Sequence, residues 1–367
     1  MEANCPHKFS RLNGVSMTVS VRILHAGHGD CIFISHQSDG KTFNLLVDGG
    51  PAATFGSLYG YPSPLRLLLE ELKETGQMID LAVLSHVDDD HIGGFLEAFS
   101  HDDYLPSMVR EVWFNSYKLI SKENGAADDD KNHVEGISSS DTKTSITQGV
   151  TLEEKLSGVN WWQKVIRNDL PVIIRGGVEF TILSPSAECL GKLQKKWIRE
   201  AGSDVKKTAR GQTDYHISVA DLICNDKFVK DTSVPNGSSI AFILRAEEKN
   251  IVLLGDAFAN TVSEKLLDLG YSEQNPLVAE IVKVSHHGSK KNTSSELLNL
   301  IRSERFVIST DGSIFGHPDK RAVARILKNN EENNIFFNYG SVINGLLLSD
   351  EEEYMSRLHV FPSEMVL

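Results

Sequence analysis

Cysteine is scarce in this chain of 367 residues, with four in all, at Cys5, Cys31, Cys189 and Cys224. They lie far apart and form no Cys-x-x-Cys pair, which points to reduced thiols rather than a disulfide framework. No apolar run approaches the ~18 residues of a membrane-spanning helix. The first nine residues, MEANCPHKF, also lack the apolar centre of a signal peptide. Both absences lead to the expectation of a cytoplasmic protein with no membrane partner. Positive charge is in deficit too: Lys and Arg total 37 against 50 Asp and Glu, a net charge of −13. That excludes broad, nonspecific coating of nucleic acid.

What the sequence does hold is concentrated in residues 84–94, LSHVDDDHIGG. Residues 80–85 form a short apolar run suited to a buried strand, and Gly93-Gly94 followed by an apolar stretch suits entry into a helix. His86, Asp88, Asp90 and His91 therefore fall on a strand-end loop. Imidazole and carboxylate at alternating positions suit borderline to hard divalent metals, and interleaved ligands can serve two ions a few Å apart. The alternative is an acidic, solvated loop with two incidental histidines.

Downstream residues argue against that alternative. Residues 251–257 (IVLLGDA) end an apolar run on Asp256, and residues 281–289 (IVKVSHHGS) end another on His286 and His287. A third strand pattern at 306–310 precedes Phe315-Gly316-His317-Pro318. Histidines placed by packing alone would show no such preference for strand ends.

The order of these motifs resembles the metallo-β-lactamase superfamily, and within it most closely the soluble hydrolase domain of ComEC-type competence proteins. The superfamily's usual His-x-His-x-Asp-His is here His86-x-Asp88-x-Asp90-His91, with Asp in the second place, as in the ComEC-like branch. Residues 25–31 (HAGHGDC), 45–50 (LLVDGG) and 236–240 (NGSSI) are similar to further motifs of that branch, in the same order. The likeness covers roughly 19–115, 172–186 and 236–330. It implies an α/β fold, an αββα sandwich with an inserted, partly helical segment. We expect an amino-terminal extension over 1–18, one hydrolase domain over 19–367, a mobile loop at 121–149, rich in Asp, Ser and Gly, and an insertion at 187–235.

The resemblance also implies a site. His86 and Asp88 would bind one metal, Asp90 and His91 a second, Asp256 would bridge them, and His286 would close the second site. His286 is preferred to His287 because it comes first off the strand. The first site is then short of a third histidine, with Asn236 or Ser238 in that region, so that two divalent ions, zinc or manganese, are expected with unequal hold. A metal-activated hydroxide would attack the substrate, Asp90 serving as catalytic ligand and His317 as general acid or as a donor to a phosphoryl oxygen. His317 could instead cap the following helix. Asp48 is expected to orient the His86 loop through hydrogen bonds, and Asp30 to hold the turn around Gly27-His28-Gly29.

The leading expectation for substrate is a phosphodiester, in nucleic acid or a nucleotide, which makes the chain a phosphodiesterase or nuclease. A lactone or thioester hydrolase of the same fold is the alternative, as is a metal-binding partner protein or sensor. Flavodiiron oxidoreductases share the fold, but no phosphate-binding loop follows the last motif here. Within 187–235, Lys192, Lys195, Lys196, Arg199, Lys206, Lys207 and Arg210 cluster, so the insertion reads as a phosphate-binding or protein-binding lid, or as a solvated helical face.

Overall fold

The computed structural model describes residues 17–58, 61–125, 145–200 and 213–367. The 1–16 part of the expected extension and Lys206, Lys207 and Arg210 lie outside the described residues. Among those described, no helix is long and apolar enough to cross a membrane. Cys31, Cys189 and Cys224 are free thiols.

Two sheets carry the fold. The first begins with an antiparallel meander, β1 (Thr18–Ile23), β2 (Ile32–Ser38) and β3 (Lys41–Val47). β1 shows the period of two that a half-buried strand requires, with Val19, Val21 and Ile23 turned inward. β4 (Leu81–Val83) and β5 (Val112–Trp113) extend the sheet in parallel, Leu45 pairing with Leu81 and Ala82 with Val112. The second sheet runs in spatial order from β6 (Ile173–Arg175) and β7 (Val178–Ser184) through β8 (Ala241–Ala246) and β9 (Lys249–Leu253) to β10 (Ile281–Lys283). It continues with β11 (Arg305–Ile308), β12 (Asn334–Phe337) and β13 (Leu358–Val360). Its first four strands are antiparallel neighbours, and β9 onward are parallel. β14 (Met365–Val366) returns to pair with β1.

The sheets face each other across one apolar layer. Val21, Ile34, Leu45 and Trp113 of the first meet Phe180, Phe242, Ile251 and Leu253 of the second. The Trp113 and Phe180 rings lie 5.0 Å apart and Phe180 and Phe242 5.5 Å apart. Burying a side chain such as Phe180 stabilises by about 1.5–3 kcal/mol, so this layer is a principal source of cohesion. Helices cover both outer faces. On the first sheet lie α1 (Pro64–Glu74), α2 (Asp89–Ala98), α3 (Tyr117–Glu123), α4 (Ser145–Lys155) and α5 (Ala187–Glu200). α1 opens on proline, whose fixed φ suits a first turn, and buries Leu65, Leu68, Leu69 and Leu72 on one stripe. On the second sheet lie α6 (Val219–Cys224), α7 (Ala259–Asp268), α8 (Ser295–Asn299) and α9 (Lys320–Asn329). The layers are thus helix, sheet, sheet, helix, the αββα sandwich expected from the motifs.

Two expectations change in detail. Residues 121–123 and 145–149 are helical, in α3 and α4, rather than loop, because Ile120 and Leu152 supply buried apolar anchors; 126–144 lies outside the described residues. The described parts of 187–235 are also more deeply built in than a lid. Leu190, Leu193 and Trp197 of α5 enter the first helical layer, while Val219 and Leu222 of α6 pack on Ala324 of α9. Asp214 accepts from the Lys320 amide, and Asp226 pairs with Arg325, tying the segment to the second layer.

Candidate metal centre

Five parallel strand ends meet at one rim: those of β3 and β4 in the first sheet and of β9, β10 and β11 in the second. Loops beyond the carboxyl ends of parallel strands are where α/β sheets place ligands, because the chain leaves each strand there to enter a helix. Asp48 follows β3, Ser85 and His86 follow β4, and Asp256 follows β9. His286 and His287 follow β10, and the turn bearing His317 follows β11. Asp88 stands at the amino-terminal cap of α2, with Asp90 and His91 in its first turn.

Close packing fixes this rim. A Cβ on Gly29 would lie 1.9 Å from the Asp90 carbonyl oxygen, and one on Gly94 would lie 2.0 Å from that of Gly49. The glycine-rich turns of the motifs therefore exist so that backbone can press on the turn of α2 that carries Asp90 and His91. The Asp30 amide donates to the Asp90 carbonyl at 3.1 Å across the same contact.

Four imidazoles converge on Asp256. His86 Nε2 and His286 Nε2 each lie 3.7 Å from its Oδ2, and His86 Nε2 lies 3.6 Å from Asp88 Oδ2. On the other side, His91 Nε2 is 3.4 Å and His287 Nε2 3.8 Å from Asp256 Oδ1. Asp90 completes this side, 3.3 Å from His287 Nε2 and 4.0 Å from His91 Nε2. The geometry thus divides the histidine pair differently from the expectation: His287, not His286, faces Asp90 and His91, while His286 turns toward His86. The cause is backbone. His286 and His287 both adopt left-handed φ, 49° and 53°, so consecutive side chains swing to opposite oxygens of one carboxylate. Two such residues in succession are strained, a cost tolerated where surrounding contacts hold the strain in place.

Each ring is oriented through its other nitrogen. His91 Nδ1 donates to Asp48 Oδ2 at 2.8 Å, and His287 Nδ1 to the Ser309 carbonyl at 2.8 Å. His286 Nδ1 donates to Asn292 Oδ1 at 3.0 Å, and His86 Nδ1 faces Ser85 Oγ at 3.0 Å. This leaves every Nε2 as the lone-pair nitrogen, aimed inward. Nε2 of His86, His91 and His287 and Oδ1 of Asp256 are buried without a hydrogen-bond partner. Unpaired buried polar atoms are costly, and four of them around one point call for a cation. The spacings agree with that. Two ligand atoms about 2.0–2.2 Å from a tetrahedral ion stand roughly 3.3 Å apart, beyond hydrogen-bonding reach but close to the separations here.

The electrostatics carry the same demand for positive charge. Burial alone would pull the His91 imidazole down, but the carboxylates of Asp256, Asp48 and Asp90 outweigh it and raise it well above the ordinary value. Burial likewise opposes ionisation of Asp256, yet His286, His91 and His287 hold it well below the usual carboxylate range. Protons on the imidazoles and a metal ion compete for the same balance.

Several residues here were not anticipated from sequence. Asp231 accepts from Asn236 Nδ2 at 2.7 Å and Asn292 Nδ2 at 3.2 Å, and lies 3.6 Å from His286 Nδ1. Asn236 is therefore a support of His286, rather than a stand-in ligand, and Ser238 turns away to donate to the Pro235 carbonyl at 2.6 Å. Asp30 does more than hold a turn: it forms a fully buried pair with Lys283 at 2.5 Å, and its other oxygen lies 3.4 Å from His287 Nδ1. A lysine inside the otherwise apolar run IVKV was the available signal. Asp48 accepts from the Ser85 amide and hydroxyl, each at 2.7 Å, and its reach extends to His91 as well as the His86 loop. His317 stands 4.9 Å, ring to ring, from His286, with Nδ1 3.6 Å from Asp319. Burial draws its pKa below the ordinary value despite Asp319, which favours the uncharged ring. The cluster opens into a cleft of about 640 Å³, whose walls include Lys290, Lys291, Phe315 and His317.

No curated protein matches the chain significantly. Among solved structures, the CmlA beta-hydroxylase E377D mutant is 12% identical with a TM-score of 0.42, covering 97% of this chain, which spans 54% of that longer one. The metallo-beta-lactamase fold protein YhfI from Bacillus subtilis is 12% identical with a TM-score of 0.40, over 96% of this chain and 99% of that one. Unliganded yeast PDE1 is 10% identical with a TM-score of 0.41, over 96% and 99%. Residues 26–162, the stretch that contains His86, Asp88, Asp90 and His91, match the metallo-beta-lactamase superfamily.

Proposed function

We propose that this chain is a metal-dependent phosphodiesterase with a dinuclear centre. The observation that supports it is the convergence of four imidazole Nε2 atoms on the two oxygens of Asp256. On this reading His86, Asp88 and His286 would hold one ion and Asp90, His91 and His287 the other, with Asp256 shared between them. A nitrogen and carboxylate donor set without thiolate suits zinc or manganese. Such ions, when bound, lower the pKa of water and stabilise charge on phosphoryl oxygens.

The chain's own residues supply the rest. Lys290 and Lys291 place cationic groups on the wall of the cleft, and His317 offers an N–H donor to a developing oxyanion. A phosphodiester is anionic and uses all of these, whereas a lactone or thioester is neutral and has no need of the lysines.

The test is metal content with activity. Reconstituted protein should hold about two divalent ions and hydrolyse bis(4-nitrophenyl) phosphate; His86→Ala should lose one ion and Asp256→Ala both. Less than about a tenth of an equivalent of metal after reconstitution, or hydrolysis of lactones or thioesters with none of phosphodiesters, refutes the proposal.

A further inference from the structure

One wall of the cleft is a row of rings. His286, facing Asp256, is followed by His317 at 4.9 Å between centroids, then Phe315 at 6.4 Å, then His28 at 6.0 Å from Phe315. Phe315 is half-buried on the cleft, beside Ile314, which is 40% exposed. Its φ of 63° is left-handed, unusual for a bulky side chain, and sets the ring on the wall just outside His317. Strain of this kind concentrates at ligand-binding positions. Lys290 and Lys291 belong to the same cleft; Lys290 is held by Asp319 at 2.7 Å, and the Lys291 side chain is exposed.

The cleft thus offers three chemistries: anionic and imidazole donors around Asp256, an aromatic face beside His317, and cationic groups at Lys290 and Lys291. A nucleotide supplies a partner for each, with an anionic phosphodiester joined through a sugar to a flat base. A phosphodiester lacking a base would leave Phe315 without a partner. In a duplex the bases stack on each other and cannot reach the wall.

We propose that the cleft takes an unpaired nucleotide, its base stacked on Phe315 while its phosphodiester lies at the Asp256 cluster. This rests on the phosphodiesterase reading above and names its substrate class. Strong nonspecific attraction by the chain as a whole is absent at a net charge of −13, so the local contacts carry recognition. Base stacking on an aromatic side chain is sequence-tolerant, and its loss on alanine substitution corresponds to at least about fivefold in affinity.

The test compares two single-stranded oligonucleotides that differ only in a base or an abasic sugar beside the scissile phosphate, with bis(4-nitrophenyl) phosphate as a third substrate. Wild-type protein should prefer the oligonucleotide with the base by about tenfold in kcat/KM. Phe315→Ala should erase that preference, Phe315→Tyr should restore it, and metal content should be unchanged in both. If the wild type cleaves the chromogenic diester but shows no preference for the base, or Phe315→Ala keeps the preference, the stacking proposal is overturned and the phosphodiesterase reading stands. If no phosphodiester is cleaved, both fail.

Discussion

On the dinuclear reading proposed above, replacing Asp48 by asparagine should weaken one metal site far more than the other. The wild-type carboxylate accepts three hydrogen bonds, from the Ser85 amide, the Ser85 hydroxyl and His91 Nδ1, at 2.7, 2.7 and 2.8 Å. Asparagine has one oxygen, and the Ser85 amide keeps it. The amide nitrogen then replaces Oδ2 and presents a donor to His91 Nδ1. The ring must accept there and carry its proton on Nε2, the atom that faces Asp256 Oδ1 at 3.4 Å. A protonated Nε2 cannot bind a metal ion. Loss of such an orienting partner costs about 10–100-fold in metal affinity, or about 1.4–2.8 kcal/mol. The His86 site, reached only through Ser85, should lose less. Titration of metal-free protein with zinc against a chromogenic chelator resolves the two affinities, with circular dichroism to check folding. Unchanged affinity at both sites, or equal loss at both in a folded variant, would refute the reasoning.

Two more outcomes follow from the geometry. In chelator-treated protein the His287 imidazole is raised from 6.5 to about 10, with burial opposing and Asp30 and Asp256 outweighing it. A raised imidazole contributes stability that is full below its unfolded value and is lost as pH rises through the folded one. The thermal midpoint of the chelated protein should fall between pH 6.5 and about 10, and zinc should flatten that slope; a midpoint that rises with pH in this window contradicts the assignment. Gly94→Ala should lower stability by about 1–3 kcal/mol in urea unfolding, since its Cβ would meet the Gly49 carbonyl oxygen with no flexible side chain to yield; a loss below about 0.5 kcal/mol would mean that the two backbones separate easily.

How much of this was legible in the sequence varies with the range of the interaction. The strand at 80–85 and the helix beside Gly93-Gly94 follow from local apolar runs and end signals, and they form at Leu81–Val83 and Asp89–Ala98. His86, Asp88, Asp90, His91 and Asp256 were visible because ligands at strand ends leave a pattern within a few residues. Asp231 and Asn292 were not, because they meet His286 only through tertiary contact across 55 and 6 residues, in segments with no motif of their own. The division between His286 and His287 was hidden for another reason: it depends on a left-handed backbone that no composition rule assigns to two histidines. In 187–200 the basic residues drew attention to the surface, while Leu190, Leu193 and Trp197 already carried the spacing of a buried stripe.

The Asp256 cluster draws its members from both halves of the sandwich. His86, Asp88, Asp90 and His91 belong to the first sheet and its helix, and Asp256, His286 and His287 to the second. During synthesis the ribosome has therefore made both sheets, as far as β10, before the last of these side chains exists. On the proposed dinuclear reading, a complete set of ligands for either ion would be assembled only after the sheets have closed on each other. On the proposed reading, metal acquisition is in this way a late event in the life of the chain, and a protein arrested before residue 287 would carry six of the seven side chains and lack His287.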